Sequence, residues 1–125
     1  MVYNKDKKTD IFFITLNKSD RDFSSSTLYE DYAINEKLFH WQTQSRTSVE
    51  SVTGQRYINH LKTGNKIALF VREYKTKDGL TSPFTYLGTC EYRRHSGNKP
   101  ISFIWELYEE IPAKMINKAN KSIVI

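Results

Sequence analysis

Apolar residues come in short runs along this chain, the longest only five residues, Ile67 to Val71, and polar clusters divide them. "DIFFITL" (10–16) mixes aromatic and β-branched side chains between polar flanks, which predicts a first strand. "NKSDRDFSSST" (17–27) has no period and strong turn chemistry, so it connects. "YEDYAINEKLFHWQTQ" (29–44) is mixed: its first half suits either element, while Lys37 to Gln44 alternates as a strand does. "TSVESVTGQRYINHLKTG" (47–64) predicts a helix. Thr47 and Glu50 have capping-box spacing, Val49, Val52, Ile58 and Leu61 make a rough apolar stripe, and Gly64 stands where a helix stops. Gly54 in its middle moves the expected start towards Thr53.

Three clearer strands follow. "KIALFVREYK" (66–75) has a continuous apolar centre, the mark of a central strand buried on both faces. After the turn cluster "KDGLTSP" (77–83), "FTYLGTCEY" (84–92) is expected to put Phe84, Tyr86, Gly88, Cys90 and Tyr92 on one face. "HSGNKP" (95–100) turns the chain, and "ISFIWELY" (101–108) sets Ile101, Phe103, Trp105 and Leu107 on one face. Pro112 precedes a short helix-like tail, "AKMINKAN" (113–120). There is no internal repeat and no linker. This order predicts an α+β domain: a small, curved antiparallel β-barrel or sheet with flanking helices, spanning 11–125, with residues 1–10 outside it as a disordered or an added N-terminal segment.

Composition narrows the class. At 125 residues with 38% hydrophobic and 26% charged residues, the chain suits one soluble globular domain. Its N-terminus is lysine-rich without an apolar signal core, and no run is long enough to span a membrane. One cysteine, Cys90, gives no disulfide framework and fits a reducing cytoplasm. A net charge of +5 suits a polyanion partner, and equally a merely soluble basic protein. Seven Phe, eight Tyr and two Trp exceed what a core this size needs, which puts some of them at a binding surface.

Candidate chemistry is sparse. His40, His60, His95 and Cys90 are scattered without ligand spacing, so no metal is expected, and Cys90 reads as a small buried hydrophobe. No phosphate-cradling glycine loop or nucleophile motif occurs. The carboxylate pairs Glu30/Asp31 and Glu109/Glu110 are adjacent, and on a strand they would point to opposite faces. Neither catalytic residues nor a cofactor is expected. The basic turn "RRHSGNK" (93–99) at a hairpin tip suits phosphate contact through Arg93, Arg94, His95 and Lys99, or plain edge protection. "SVTGQR" (51–56) offers Ser51, Thr53, Gln55 and Arg56 as a phosphate clamp, or simply an N-cap. In "FHWQTQS" (39–45), Phe39, Trp41 and Thr43 share one face and His40, Gln42 and Gln44 the other. It is either a core strand with a polar back, or a pocket wall whose aromatics stack a planar base while amides read its edge. Its alternation leaves open which face looks inward.

"YEDYAINEKLFHWQTQS", "TGQRYINH", "ALFVREYK", "FTYLGTCEYRRHSGNKPISFIWEL" and "EEIPAK" occur in that order. Together, over Ile11 to Lys114, they resemble the C-terminal domain of bacterial restriction proteins that join a phospholipase-D-type nuclease to a superfamily 2 helicase. The resemblance implies the recognition domain of an ATP-dependent type IV restriction enzyme, cytoplasmic and itself not catalytic, that reads 5-methylcytosine or 5-hydroxymethylcytosine. Its implied partners are duplex DNA and the parent chain's nuclease and helicase domains, with no membrane and a possible homodimer of the parent enzyme. Such readers are often SRA- or PUA-like barrels that flip the base. On that footing Trp41 and Phe39, with Tyr29 or Tyr32, would sandwich the base, and Glu30 or Asp31 would accept from the cytosine amino group. Gln42, Gln44 and Ser45 would complete the edge contacts or fill the vacated place in the duplex. Arg46, Ser51, Thr53, Gln55, Arg56, Arg93, Arg94, His95 and Lys99 would hold the backbone, and Trp105 belongs to the core. The rivals are a general DNA-binding domain and a protein-interaction module that couples helicase to nuclease.

Overall fold

A computed structural model describes residues 2–17, 31–113 and 115–116. In chain order it has β1 (Val2–Asn4), β2 (Thr9–Asn17), β3 (Tyr32–Ala33), β4 (Leu38–Gln42), α1 (Val52–Ile58), α2 (His60–Thr63), β5 (Lys66–Tyr74), β6 (Thr76–Lys77), β7 (Leu80–Thr81), β8 (Thr85–Ser96) and β9 (Ser102–Leu107). Seven strands form one sheet in the order β1-β2-β5-β8-β9-β4-β3, and β6 pairs with β7 in a small separate hairpin. The protein is a small α+β domain.

Two features depart from the expected antiparallel barrel. The sheet is mixed, because β2 runs parallel to β5, with Phe12 opposite Leu69. It is also open: among the described residues no ladder joins β1 or β2 to β3 or β4. Yet it is strongly curled. Four ladder steps separate β2 from β4, which in a flat sheet would set them about 19 Å apart. Instead Phe12 of β2 stacks on Trp41 of β4 with ring centroids 4.1 Å apart and planes at 14°. Aromatic side chains thus close the seam that hydrogen bonds leave open.

The curl has local causes. The register shifts between Leu69 and Phe70 where β5 meets β8, and between Tyr92 and Arg94 where β8 meets β9. Each irregularity bends and twists the strand it interrupts. Gly88, at φ +108, sits beside the first of them in a conformation that L side chains rarely adopt. The first shift also splits the face expected for 84–92. Phe84 and Tyr86 lie outside, packed near Phe13 and Phe70, whereas Leu87 and Cys90 are buried inside. On β9 the expected face holds, with Ile101, Phe103, Trp105 and Leu107 all buried. On β5, Ile67, Leu69 and Val71 point into the core; the outer face is only partly covered, with Ala68 buried and Phe70 half-buried.

Residues 2–10, expected to lie outside the domain, instead supply β1, the turn after it and the start of β2. Val2 pairs with Ile11, and Asp10 is 1% exposed. A buried carboxylate needs a partner, and Arg56 supplies it through two hydrogen bonds, Nε to Oδ2 at 2.9 Å and Nη2 to Oδ1 at 2.8 Å.

The helix begins at Val52, close to the alternative start near Thr53, and its cap is Ser51 rather than Thr47. The Ser51 Oγ accepts from the Gly54 N–H at 3.0 Å. Any side chain at Gly54 would bring a Cβ within 2.3 Å of the Ser48 carbonyl oxygen, so this close approach admits only glycine. The expected stripe holds only in part: Val49 and Ile58 pack, partly buried, against the core. Val52 and Leu61 are exposed, and the buried face consists of Gly54, Tyr57 and His60. Asn59 separates the two short helices, and Gly64 ends the second in the left-handed conformation, as its position suggested. After Pro112 one helical turn carries Met115 into the core. The remainder of the expected tail, and Lys114 within it, lies outside the described residues.

His60 ties the helices to the sheet. Its Nδ1–H donates to the Asn65 carbonyl at 2.9 Å, and Nε2 accepts from the Tyr92 N–H at 2.9 Å, where β8 runs past its ladder with β5. That pattern fixes a neutral Nδ1–H tautomer. Burial pushes the imidazole pKa below its ordinary 6.5, against smaller opposing effects from the Asn65 carbonyl and from Glu91 and Asp10. The unfolded chain therefore binds this proton first as pH falls. Stability should be unaffected by His60 above pH 6.5 and drop as pH is lowered from 6.5 towards the depressed folded value. Urea midpoints measured from about pH 7.5 to about pH 5, to either side of the ordinary histidine pKa, should show that loss in the native sequence and a flatter profile in His60→Gln. Identical profiles would remove His60 as the cause.

Candidate functional site

Strand β4 settles which face of "FHWQTQS" looks inward. Phe39 is fully buried and Trp41 is 6% exposed. Besides its stack on Phe12, Trp41 meets the Tyr57 ring edge-on at 5.7 Å and lies tilted against Phe103 at 6.1 Å. His40 and Gln42 occupy the outer face. There Tyr32, paired with His40 across β3 and β4, stacks on it at 4.7 Å with planes 12° apart. Tyr32 and Trp41 are therefore on opposite faces and cannot enclose one base, and Phe39 is core. The Gln42 amide Nε2 donates to the Ser102 Oγ at 3.0 Å, and the Gln42 N–H donates to the Asp31 carboxylate at 3.1 Å. Asp31 thus caps the end of β4. Tyr29 and Glu30 lie outside the described residues.

Just beyond β4 the chain is clasped to the β8–β9 hairpin. Thr43 is buried; its N–H donates to the Ile101 carbonyl and its Oγ1 accepts from the Ile101 N–H, both at 3.0 Å. The Lys99 N–H donates to the Thr47 carbonyl at 3.2 Å, and the Val49 N–H donates to the Asn98 Oδ1 at 2.8 Å, 49 positions away in the chain. These bonds join the loop after β4 to the hairpin tip. They leave Gln44, Ser45, Arg46 and Lys99 exposed along one edge.

The other basic and polar expectations divide. Arg94 is exposed on the outer face, opposite Ile104. Arg93 is also exposed but pairs with Glu106 at 3.1 Å. His95 is half-buried, hydrogen-bonded through Nδ1 to the Tyr92 hydroxyl at 2.7 Å and packed near Phe103. The "SVTGQR" turn is occupied by its own structure. Ser51 caps the helix, Thr53 is half-buried, and Gln55 donates to the Val49 carbonyl while accepting from Asn59. Arg56 is held by Asp10, whose hydrogen bond raises the guanidinium pKa, and its plane lies 4.1 Å over the Tyr3 ring. Of the two readings of this turn, the N-cap is present, with an internal ion pair beside it.

The strand pattern missed one surface. Phe13, Phe70, Phe84 and Tyr86 form an aromatic patch on the outer face of β2, β5 and β8, with Phe13 45% and Tyr86 55% exposed. The signal was the adjacent pair Phe12–Phe13, since on a strand one of the two must face out. A recess of about 170 Å³, lined in part by His60, Asn65, Lys66, Thr89 and Tyr108, shares no residue with the expected base pocket. Cys90, at its back, has a thiol that burial pushes well above its ordinary pKa, unsuited to attack. Among the described residues no group of three or more His, Cys, Asp or Glu could hold a metal ion, and no helix is long and apolar enough to cross a membrane.

A family model described as "Domain of unknown function (DUF3427)" matches residues 1–119. No curated protein matches the chain.

Proposed function

The chain belongs to the DUF3427 family, and we propose that it is a reader of modified cytosine in duplex DNA. In this reading it is a non-catalytic module that directs an ATP-dependent type IV restriction endonuclease. One observation carries the reading. The ends of two stretches singled out separately for nucleic-acid chemistry, "FHWQTQS" (39–45) and "RRHSGNK" (93–99), are joined through hydrogen bonds of Thr43, Thr47 and Val49 to Ile101, Lys99 and Asn98, and the edge so formed bears Gln44, Ser45, Arg46 and Lys99. Arg46, Lys99 and Arg94 would take phosphates, while Gln44 and Ser45 have the donors and acceptors to read a base or fill the gap one leaves. A curled sheet capped by short helices also suits an SRA- or PUA-like reader.

The resemblance of the segments quoted above supports modified cytosine as the ligand. A buried methyl group is worth only about 1 kcal/mol, so discrimination has to come from close fit as well as from transfer. The test is titration of two duplexes of one sequence, methylated and unmethylated at cytosine. Tighter binding of the methylated duplex is expected, and Gln44→Ala should reduce the ratio. Equal affinities would overturn modification reading and leave a general DNA-binding domain. Binding to neither duplex would favour the protein-interaction reading, for which the exposed Phe13–Phe70–Tyr86 patch is the natural surface.

A further inference from the structure

Away from that edge, two stretches distant in sequence, 5–8 and 62–66, carry five lysines and are fastened to each other. The turn between β1 and β2 carries Lys5, Lys7 and Lys8, α2 carries Lys62, and β5 opens with Lys66. The Lys8 Nζ donates to the Thr63 carbonyl at 2.6 Å, and the Lys66 N–H donates to the Lys8 carbonyl at 2.7 Å, so the turn is fastened to the end of α2 and the start of β5. All five lysines are exposed. Among the described residues none has a carboxylate within ion-pair distance. Asp6 shares the turn, whereas Asp10, the next acid, is buried and neutralised by Arg56. Beside Lys66 the recess lined by His60, Asn65 and Thr89 opens.

Like charges gathered without counter-charges destabilise the fold they sit on and raise a positive potential outside it. We infer that this lysine cluster is a second contact surface for the backbone phosphates of duplex DNA, distinct from the 43–49/97–100 edge. The inference rests on the reading of the chain as a DNA-binding module. The two surfaces are linked through the helices: loop 43–49 leads into α1, and α2 ends on the lysine turn. Contacts to phosphate carry no sequence information, so the cluster contributes affinity and orientation while discrimination stays at the edge.

The experiment compares the native chain with Lys7→Gln/Lys62→Gln and a charge-matched control, Lys75→Gln/Lys77→Gln, on the β6–β7 side. Lys8 is spared because its ammonium braces Thr63. Thermal melts establish that both variants fold. Binding of each duplex is then measured over a range of salt. The cluster variant should lower the slope of log K against log salt by about 0.9 for each lysine removed, and weaken both duplexes equally. The control should leave the slope unchanged. Equal effects of the two variants, or an unchanged slope in the cluster variant, overturn the inference while the reader stands. Absence of salt-dependent DNA binding by the native chain overturns both. Equal native affinity for the two duplexes, with the slope change retained, supports the cluster and removes only the modified-base reading.

Discussion

Arg56→Met is expected to cost about 3–5 kcal/mol of folding stability, read as a lowered urea midpoint. The loss follows from what stays behind. Asp10 is 1% exposed, and without the guanidinium its carboxylate has neither its bidentate partner nor water. Tyr3 also loses the cation 4.1 Å above its ring. The reverse change, Asp10→Asn, should be milder: the side chain of Arg56 is 21% exposed and can be hydrated, and an amide can still accept one of its bonds. Combining Asp10→Asn with Arg56→Met should recover part of the loss, because no charge is then stranded. A phosphate-binding arginine behaves in the opposite way, leaving the midpoint alone and reducing DNA affinity in a salt-dependent manner. An unchanged midpoint in Arg56→Met would therefore restore the clamp.

Trp41→Ala is the second large effect, about 3–5 kcal/mol by the usual cost of truncating a buried aromatic. Its indole spans the seam between β2 and β4, where no backbone ladder runs among the described residues and the stack on Phe12 is the direct aromatic link. Removing it leaves a cavity bordered by Phe12, Tyr57 and Phe103. Trp41→Phe should retain much of the stability. For a tryptophan that grips a flipped base, the alanine variant would stay folded and lose only discrimination. Here any loss of binding should follow the unfolded fraction across a denaturation series. A folded Trp41→Ala protein at the native midpoint would refute this.

How much of this was legible depends on whether one strand or two must be known. The inner faces of β4 and β9 are written as alternation, and both were readable up to orientation. For β4 the orientation stayed open. His40 and Gln42 are as plausible a pocket lining as Phe39 and Trp41, and only Phe12 on a distant strand decides between them. The parallel pairing of β2 with β5 leaves no local mark in either strand. The bulge that turns Tyr86 outward is likewise a property of the pairing rather than of the alternating residues. Ser51 and Thr47 were both credible caps; the approach of Gly54 to the Ser48 carbonyl, a contact of the folded turn, favours Ser51. At the candidate site, the two short stretches were recognisable separately, but their joining through Thr43, Val49, Asn98 and Lys99 was not. Arg56 looked free because its carboxylate stands 46 positions away, in a segment expected to lie outside the domain. The lysine cluster is divided between two stretches, of which only the first is unusually basic.

Both tryptophans of the chain, Trp41 and Trp105, lie inside one aromatic cluster with Phe12 and Phe103. Indole emission responds chiefly to the water and rings around it, so intrinsic fluorescence of this protein reports the closure of the curled sheet. It is the natural optical signal for the Arg56 experiment. The proposed DNA contacts lie at exposed edges rather than beside either buried indole, so their test calls for a label on the nucleic acid instead.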